Sequence, residues 1–431
     1  MNQPHSPTPI IRTLLLALGM LTAACAAQPI AGGPAADAGA AEPGAAASAS
    51  AADPAQLTAA VSFAQWRDQF RHEALALGIG AQTFDAAFAD ITPDPEVLNA
   101  DSSQPEFTRP VWEYLEGATA AGRVRTGLAK QAQEQASLAA IYQQYGVEAA
   151  YLVAIWGMES NYGQFMGKRS VIRSLATLAH AGRRQRFAHT QLLAALSILQ
   201  QGDIDARHMR GSWAGAMGQT QFMPTTFNTH AVDFDGDGRR DIWNSAADAL
   251  ASAAHYLKAS GWQRGQPWGF EVQLRPDFDY AQADPDSRRS VRAWRALGVI
   301  TPALPAPLDD ANAVLLLPAG HRGPALLVLD NFRAILKYNN STSYALAIGL
   351  LSDRLQGKDG IRAPWPVDEQ PLSHSQRVAL QDALRAKGFD PGPADGIIGA
   401  NTRKAVRSYQ QRQGWPADGY PTLRLLEALQ R

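Results

Sequence analysis

From about Ala59 onward, large apolar side chains recur at intervals near three and four. Phe63, Trp66 and Phe70, then Phe84 and Phe88, trace one face of successive helices, because such positions align at 3.6 residues per turn. Ala- and Leu-rich runs at Gln191 to Gln200 and Ala246 to Lys258 continue the pattern. Three short apolar segments, Phe270 to Leu274, Ala313 to Leu317 and Leu326 to Leu329, are separated by Pro and Gly and predict strands. The fold class expected is mainly α (α+β), with helices beside a small β subdomain. No internal repeat is evident.

One apolar helical run ends in a carboxylate, in Ala154-Ile155-Trp156-Gly157-Met158-Glu159-Ser160-Asn161-Tyr162-Gly163. Trp156, Ile155 and Leu152 lie three, four and seven positions before Glu159, so a helix sets all four on one face. Ser160, Asn161 and Gly163 read as a helix stop, which puts the carboxylate near the negative end of the helix dipole. Apolar neighbours and dipole both raise its pKa towards that of a general acid. The structural alternative is a helix-ending glutamate paired with an arginine.

At 431 residues and 46% hydrophobic content, the chain exceeds one ordinary domain and can bury a sizeable core. Its 39 basic and 40 acidic side chains leave a net charge of −1, so no overall basic field points to nucleic acid. Arg12, the apolar stretch Leu14 to Leu21 and the small residues after it read as an export signal over 1–25, too short to span a bilayer. The lone cysteine, Cys25, forms no internal disulfide and sits where a bacterial lipoprotein signal is cut, although Thr22 stands where the usual leucine would be. Ordinary cleavage after Ala24-Cys25-Ala26, releasing a soluble periplasmic protein, is the alternative. Residues 26–56, rich in Ala, Gly, Ser and Pro, read as a flexible tether.

Three motifs follow in order: AIWGMESNYG, the stretch from Gly211 to Pro224 (GSWAGAMGQTQFMP), and Lys337-Tyr338-Asn339-Asn340 followed by Tyr344. Together they resemble the membrane-bound lytic transglycosylase B family of bacterial peptidoglycan-cleaving enzymes, over 57–357. After a linker at 358–372, the segment 373–431 resembles a three-helix peptidoglycan-binding module. That resemblance rests on Leu380, Leu384, Phe389, Asp395-Gly396-Ile397-Ile398-Gly399, Thr402, Tyr409, Gln410 and Asp418-Gly419. A helical tail packed on the catalytic domain is the alternative.

The resemblance implies a lysozyme-like catalytic domain with Glu159 as its single catalytic residue and no cofactor for catalysis. It places the substrate groove on Tyr114, Arg183, Arg184, Ser212, Gln219, Tyr256, Tyr338, Asn339 and Tyr344. The implied reaction is non-hydrolytic cleavage between N-acetylmuramic acid and N-acetylglucosamine, leaving 1,6-anhydromuramic acid ends. A water-using muramidase and a non-catalytic wall-binding scaffold are the other classes. The expected setting is the periplasm, anchored to the outer membrane through Cys25. The expected partners are glycan strands and stem peptides, with the protein itself a monomer.

Asp233-Phe234-Asp235-Gly236-Asp237-Gly238-Arg239-Arg240-Asp241 has the acidic spacing and Gly of an EF-hand-like loop. Asp233, Asp235, Asp237, the Arg239 carbonyl, Asp241 and a late Asp248 are the expected ligands of a structural calcium ion. Asn244 stands where an EF-hand has its bidentate Glu. A turn held by Asx hydrogen bonds without metal is the alternative.

Overall fold

The computed structural model describes residues 61–102 and 109–431. Cys25, the export segment and the tether lie outside the described residues. Among the described residues, seventeen α-helices accompany a five-stranded antiparallel sheet and a two-stranded ribbon. Several helices begin at serines that accept a backbone N–H three residues on: Ser170, Ser245, Ser341 and, as full capping boxes with Gln65 and Gln376, Ser62 and Ser373. Each such cap contributes about 1 kcal/mol.

The helix Ala149–Ser160 carries Glu159 and runs through the middle of the largest core. Leu152, Val153, Ala154 and Ile155 are all 0% exposed, so the helix is apolar nearly all round rather than along one stripe. It is enclosed by Ala121–Gln133, Gln135–Tyr145, Ala246–Ala259 and, most extensively, Thr342–Leu355. Burying each Leu or Ile side chain contributes roughly 1.5–3 kcal/mol, which fixes the position of the helix end where the carboxylate sits.

The sheet orders its strands as Arg289–Ser290, Asn312–Leu316, Ala325–Val328, Gly269–Leu274 and Val299–Ile300. Its three longer strands lie within a residue or so of the segments predicted from the sequence. Val272 pairs with Ala325, and Leu316 with Leu326. Trp294, fully buried, closes the sheet's own core and donates from Nε1 to the Ala313 carbonyl at 3.0 Å.

The last three helices, His374–Ala386, Ala400–Arg412 and Leu423–Leu429, form a separate core around Leu380, Leu384, Val406, Leu425 and Leu426. This unit does not hang free. Asp418 Oδ2 accepts the backbone N–H of His321, at 2.8 Å, and its Nδ1–H, at 2.7 Å, while Arg407 pairs with Asp284.

Candidate active site

The Glu159 helix stops through three successive left-handed residues, Asn161 (φ 48°), Tyr162 (φ 61°) and Gly163 (φ 83°). A tyrosine in that conformation costs on the order of 1–2 kcal/mol, so the surroundings must hold it. They do so by close packing. Tyr162 is buried, its hydroxyl donates to the Arg123 carbonyl at 2.8 Å, and its ring fills a notch made by Gly127 and Gly157. A Cβ on either glycine would lie 2.6 Å from a Tyr162 atom. Arg123 in turn donates from Nη1 to the Gly157 carbonyl at 2.6 Å, closing the last turn of the helix.

Gln219 braces this corner from the other side. Its Oε1 accepts Trp156 Nε1–H at 2.8 Å, its Nε2 donates to the Trp243 carbonyl at 3.2 Å, and its own carbonyl accepts the Ser160 hydroxyl at 2.8 Å. A Cβ on Gly163 would stand 2.8 Å from Gln219 Oε1, so the helix stop and the Gln219 amide are fitted to each other. Gln219 therefore positions the Glu159 helix through Trp156 and Ser160.

Glu159 keeps a partly open face, yet burial pushes its pKa up from 4.5 to about 7, and the hydrogen bond from Tyr344 works against that rise. The Tyr344 hydroxyl donates to Glu159 Oε1 at 2.6 Å. No arginine pairs with Glu159 among the described residues, so the sequence's structural alternative does not hold here. Tyr338 donates to the Thr220 carbonyl at 2.7 Å, and Tyr256 to the Lys337 carbonyl at 2.5 Å, with their rings 5.1 Å apart. Burial raises the pKa of Tyr114, Tyr338 and Tyr344, and the Glu159 charge raises all three further. Three expected groove tyrosines thus gather around one carboxylate, and the fourth, Tyr256, packs against Tyr338.

The remaining expected groove residues sit apart from that carboxylate in their contacts. Ser212 Oγ accepts the Ala216 N–H at 3.0 Å within its own turn. Arg183 donates its backbone N–H to Asp101 Oδ2 at 2.7 Å, and the Arg184 guanidinium lies over the Phe187 ring at 5.5 Å; both arginines are exposed. Asn339 ends the helix Asp330–Tyr338, and its Oδ1 is buried without a hydrogen-bond partner. Sequence reasoning missed Arg123 and Tyr162. Only the left-handed stop at Asn161-Tyr162-Gly163 hinted at either.

In the acidic loop, ligand atoms of Asp233, Asp235 and Asp248 lie within 4.8 Å of one another. Asp248 is fully buried; Oδ1 accepts the N–H groups of Phe234 and Asp235, and Oδ2 that of Asp241. Burial raises its pKa, the three N–H groups oppose this, and the Asp235 charge adds to the rise. Such crowding of carboxylates fits a hard cation. Asp237 and Asp241 stand outside the cluster: Asp237 accepts the Arg239 N–H, and Asp241 those of Trp243 and Asn244.

The mainly helical body with a small sheet, carrying the half-buried Glu159 carboxylate at a helix end, has the lysozyme-like lytic transglycosylase fold. The chain belongs to the Transglycosylase SLT domain family, whose model matches residues 62–353; a peptidoglycan binding domain model matches residues 373–429. It is similar to SltB3 from Pseudomonas aeruginosa, solved in complex with NAG-anhNAM-pentapeptide, at 63% identity and a TM-score of 0.84, over 86% of this chain and 100% of that one. The Escherichia coli lytic transglycosylase Slt35, solved in complex with calcium, is 29% identical with a TM-score of 0.60, over 67% of this chain and 92% of that one. Membrane-bound lytic murein transglycosylase B of Escherichia coli (strain K12) is 34% identical over 226 residues, 52% of this chain and 62% of the relative's length.

Proposed function

We propose that the protein is a lytic transglycosylase that cleaves the β-1,4 bond between N-acetylmuramic acid and N-acetylglucosamine in peptidoglycan. The observation that carries this reading is Glu159: one carboxylate, lifted to a pKa of about 7 by burial, hydrogen-bonded to Tyr344 and, among the described residues, influenced by no second acid. A two-carboxylate hydrolase would need a partner acid in range.

Protonated Glu159 gives its proton to the glycosidic oxygen as the bond to the muramic acid anomeric carbon breaks. The substrate's own acetamido group supports that carbon. Glu159, now a carboxylate, takes the proton from the 6-hydroxyl as this oxygen bonds to the anomeric carbon, closing the 1,6-anhydro ring and restoring the acid. No water is consumed. An intramolecular hydroxyl has a high effective concentration, so enclosure by the tyrosines favours ring closure over hydrolysis. Tyr344 holds Oε1, which leaves Oε2 to carry the proton. Tyr114, Tyr256, Tyr338 and Asn339 would line the groove, with Arg183, Arg184 and Ser212 further from the bond cleaved.

Mass spectrometry of digested sacculi tests this directly. Anhydro ends support the proposal, whereas reducing ends would make the protein a muramidase and intact glycan would make it a scaffold.

The likeness to a membrane-bound relative supports an envelope location, and the place of the lone Cys25 after the apolar export stretch supports a lipid on it. None of the described helices is long and apolar enough to cross a membrane. Asp233, Asp235 and Asp248 would hold a structural calcium ion, a reading supported by their convergence and by the calcium complex of Slt35.

A further inference from the structure

The C-terminal module contains the same turn twice, although its sequence shows no obvious repeat. In the first copy, Gln381 Nε2 donates to Asp395 Oδ1 at 3.2 Å, Gly396 N donates to Gln381 Oε1 at 2.8 Å, and Ile397 N donates to Asp395 Oδ1 at 2.9 Å. In the second, Gln410 Nε2 donates to Asp418 Oδ1 at 2.7 Å, Gly419 N to Gln410 Oε1 at 2.8 Å, and Tyr420 N to Asp418 Oδ1 at 2.9 Å. Both glycines have φ 72°, and each aspartate precedes the next helix, at Ala400 or Leu423, by the same number of residues.

The copies differ in what the second carboxylate oxygen meets. Asp418 Oδ2 is capped by a peptide segment of the catalytic domain, accepting both the backbone N–H and the ring N–H of His321. Asp395 is exposed, and among the described residues its hydrogen bonds engage Oδ1, not Oδ2. Beside it Ile397 is 67% exposed, an apolar side chain left uncovered where the second copy has Tyr420.

We infer that the Asp395-Gly396-Ile397 turn is the module's ligand site, and that it accepts a backbone N–H of a peptidoglycan stem peptide on Asp395 Oδ2 with Ile397 against the neighbouring side chain. The His321 segment shows what such a turn accepts: a peptide N–H together with a second donor from the same residue. A stem peptide carries backbone N–H groups of the same kind as the His321 segment, so the peptide part of peptidoglycan is the ligand this turn matches. The inference rests on the module acting on peptidoglycan, as in the proposed function.

The test measures binding of the full chain, carrying Glu159→Gln to prevent cleavage, to intact sacculi and to glycan stripped of its stems by an amidase. Two further variants are compared with this parent. Asp395→Asn keeps the acceptor used inside the turn and replaces Oδ2 by an N–H donor; Ile397→Ser removes only the apolar contact. Asp395→Asn should weaken binding to intact sacculi on the order of tenfold, as for loss of a hydrogen bond to a charged group. Ile397→Ser should weaken it less, and neither should alter binding to stripped glycan. Unchanged binding of both variants to intact sacculi would overturn the assignment, as would equal losses on the two substrates, which would mark a glycan contact. A parent that binds neither substrate would instead remove the peptidoglycan reading on which the inference stands.

Discussion

The Tyr344 hydroxyl donates to Glu159 Oε1 at 2.6 Å, joining the end of one core helix to the start of another across 185 residues of chain. The bond favours the carboxylate, so it restrains a pKa that burial drives upward. Tyr344→Phe should therefore raise the Glu159 pKa above its value of about 7. The alkaline limb of kcat/KM, where the free enzyme loses its acid, should move to higher pH. The rate should fall by roughly 10–100-fold, because the carboxylate loses a fixed orientation. A pH profile whose alkaline limb stays in place would separate Tyr344 from the titration of Glu159.

Glu159→Gln should fold and bind peptidoglycan yet lose cleavage by orders of magnitude, since an amide cannot exchange the transferring proton. It should also change stability with a definite sign. The folded pKa, about 7, lies above the ordinary carboxyl value of 4.5, so the favourable contribution of the protonated acid is complete below about pH 4.5 and is lost as pH rises through 7. Gln carries no such penalty. At about 1.4 kcal/mol per unit, and with a discount for the partly open face, the variant should gain roughly 2 kcal/mol over the parent above pH 8 and almost nothing near pH 4. Urea unfolding at the two pH values reads the difference directly.

Much of this was legible in the residues because periodicity and local chemistry are sequence-local. The helices, the three longer strands and the helix stop after Glu159 all follow from spacing and from Gly and Asn at the stop. The all-round burial of Ala149–Ser160 was not, because an amphipathic reading cannot tell how many neighbours a helix will have. Tertiary partners stayed hidden for the same reason: from its Gly-rich motif Gln219 reads either as a ligand contact or as a residue that orients Glu159, and only the fold shows its amide tied to Trp156 and Trp243. The doubled turn of the C-terminal module escaped notice because its copies share little beyond Gln, Asp and Gly, at unequal spacing from Gln to Asp.

Gly157→Ala should disrupt the strained corner. The added methyl would stand 2.6 Å from the Tyr162 ring, which is buried and held through its hydroxyl on the Arg123 carbonyl, so the corner must shift to admit it. Overpacking of this kind costs on the order of 1–3 kcal/mol, even though alanine is the better helix former. Tm should fall and cleavage should drop with it, because Tyr162 and the end of the Glu159 helix move together. Adding Tyr162→Ala to the variant should recover part of the Tm, a coupling that two independent sites would not give.

The acidic loop offers the last test. Asp233, Asp235 and Asp248 crowd three carboxylates together, and without a cation their mutual repulsion opposes the fold. Calcium bound to the folded protein alone should raise the melting temperature of metal-stripped protein as its concentration climbs to millimolar. At a hundredfold excess over Kd the gain is about 2.7 kcal/mol, and each kcal/mol moves Tm by roughly 2–4 °C in a domain of this size. Asp248 is a poor place to probe the metal, because its oxygens also hold the N–H groups of Phe234, Asp235 and Asp241, and its loss would loosen the loop itself. Asp235→Asn is cleaner: Ser245 Oγ, which donates to Asp235 Oδ2 at 2.7 Å, can rotate to accept from the new amide. That variant should keep the metal-free Tm or raise it slightly, by relieving repulsion, and should lose most of the calcium-dependent rise. A melting curve of the parent that calcium leaves unmoved, with no heat of binding in calorimetry, would leave the loop as a set of Asx turns closed by Asp248.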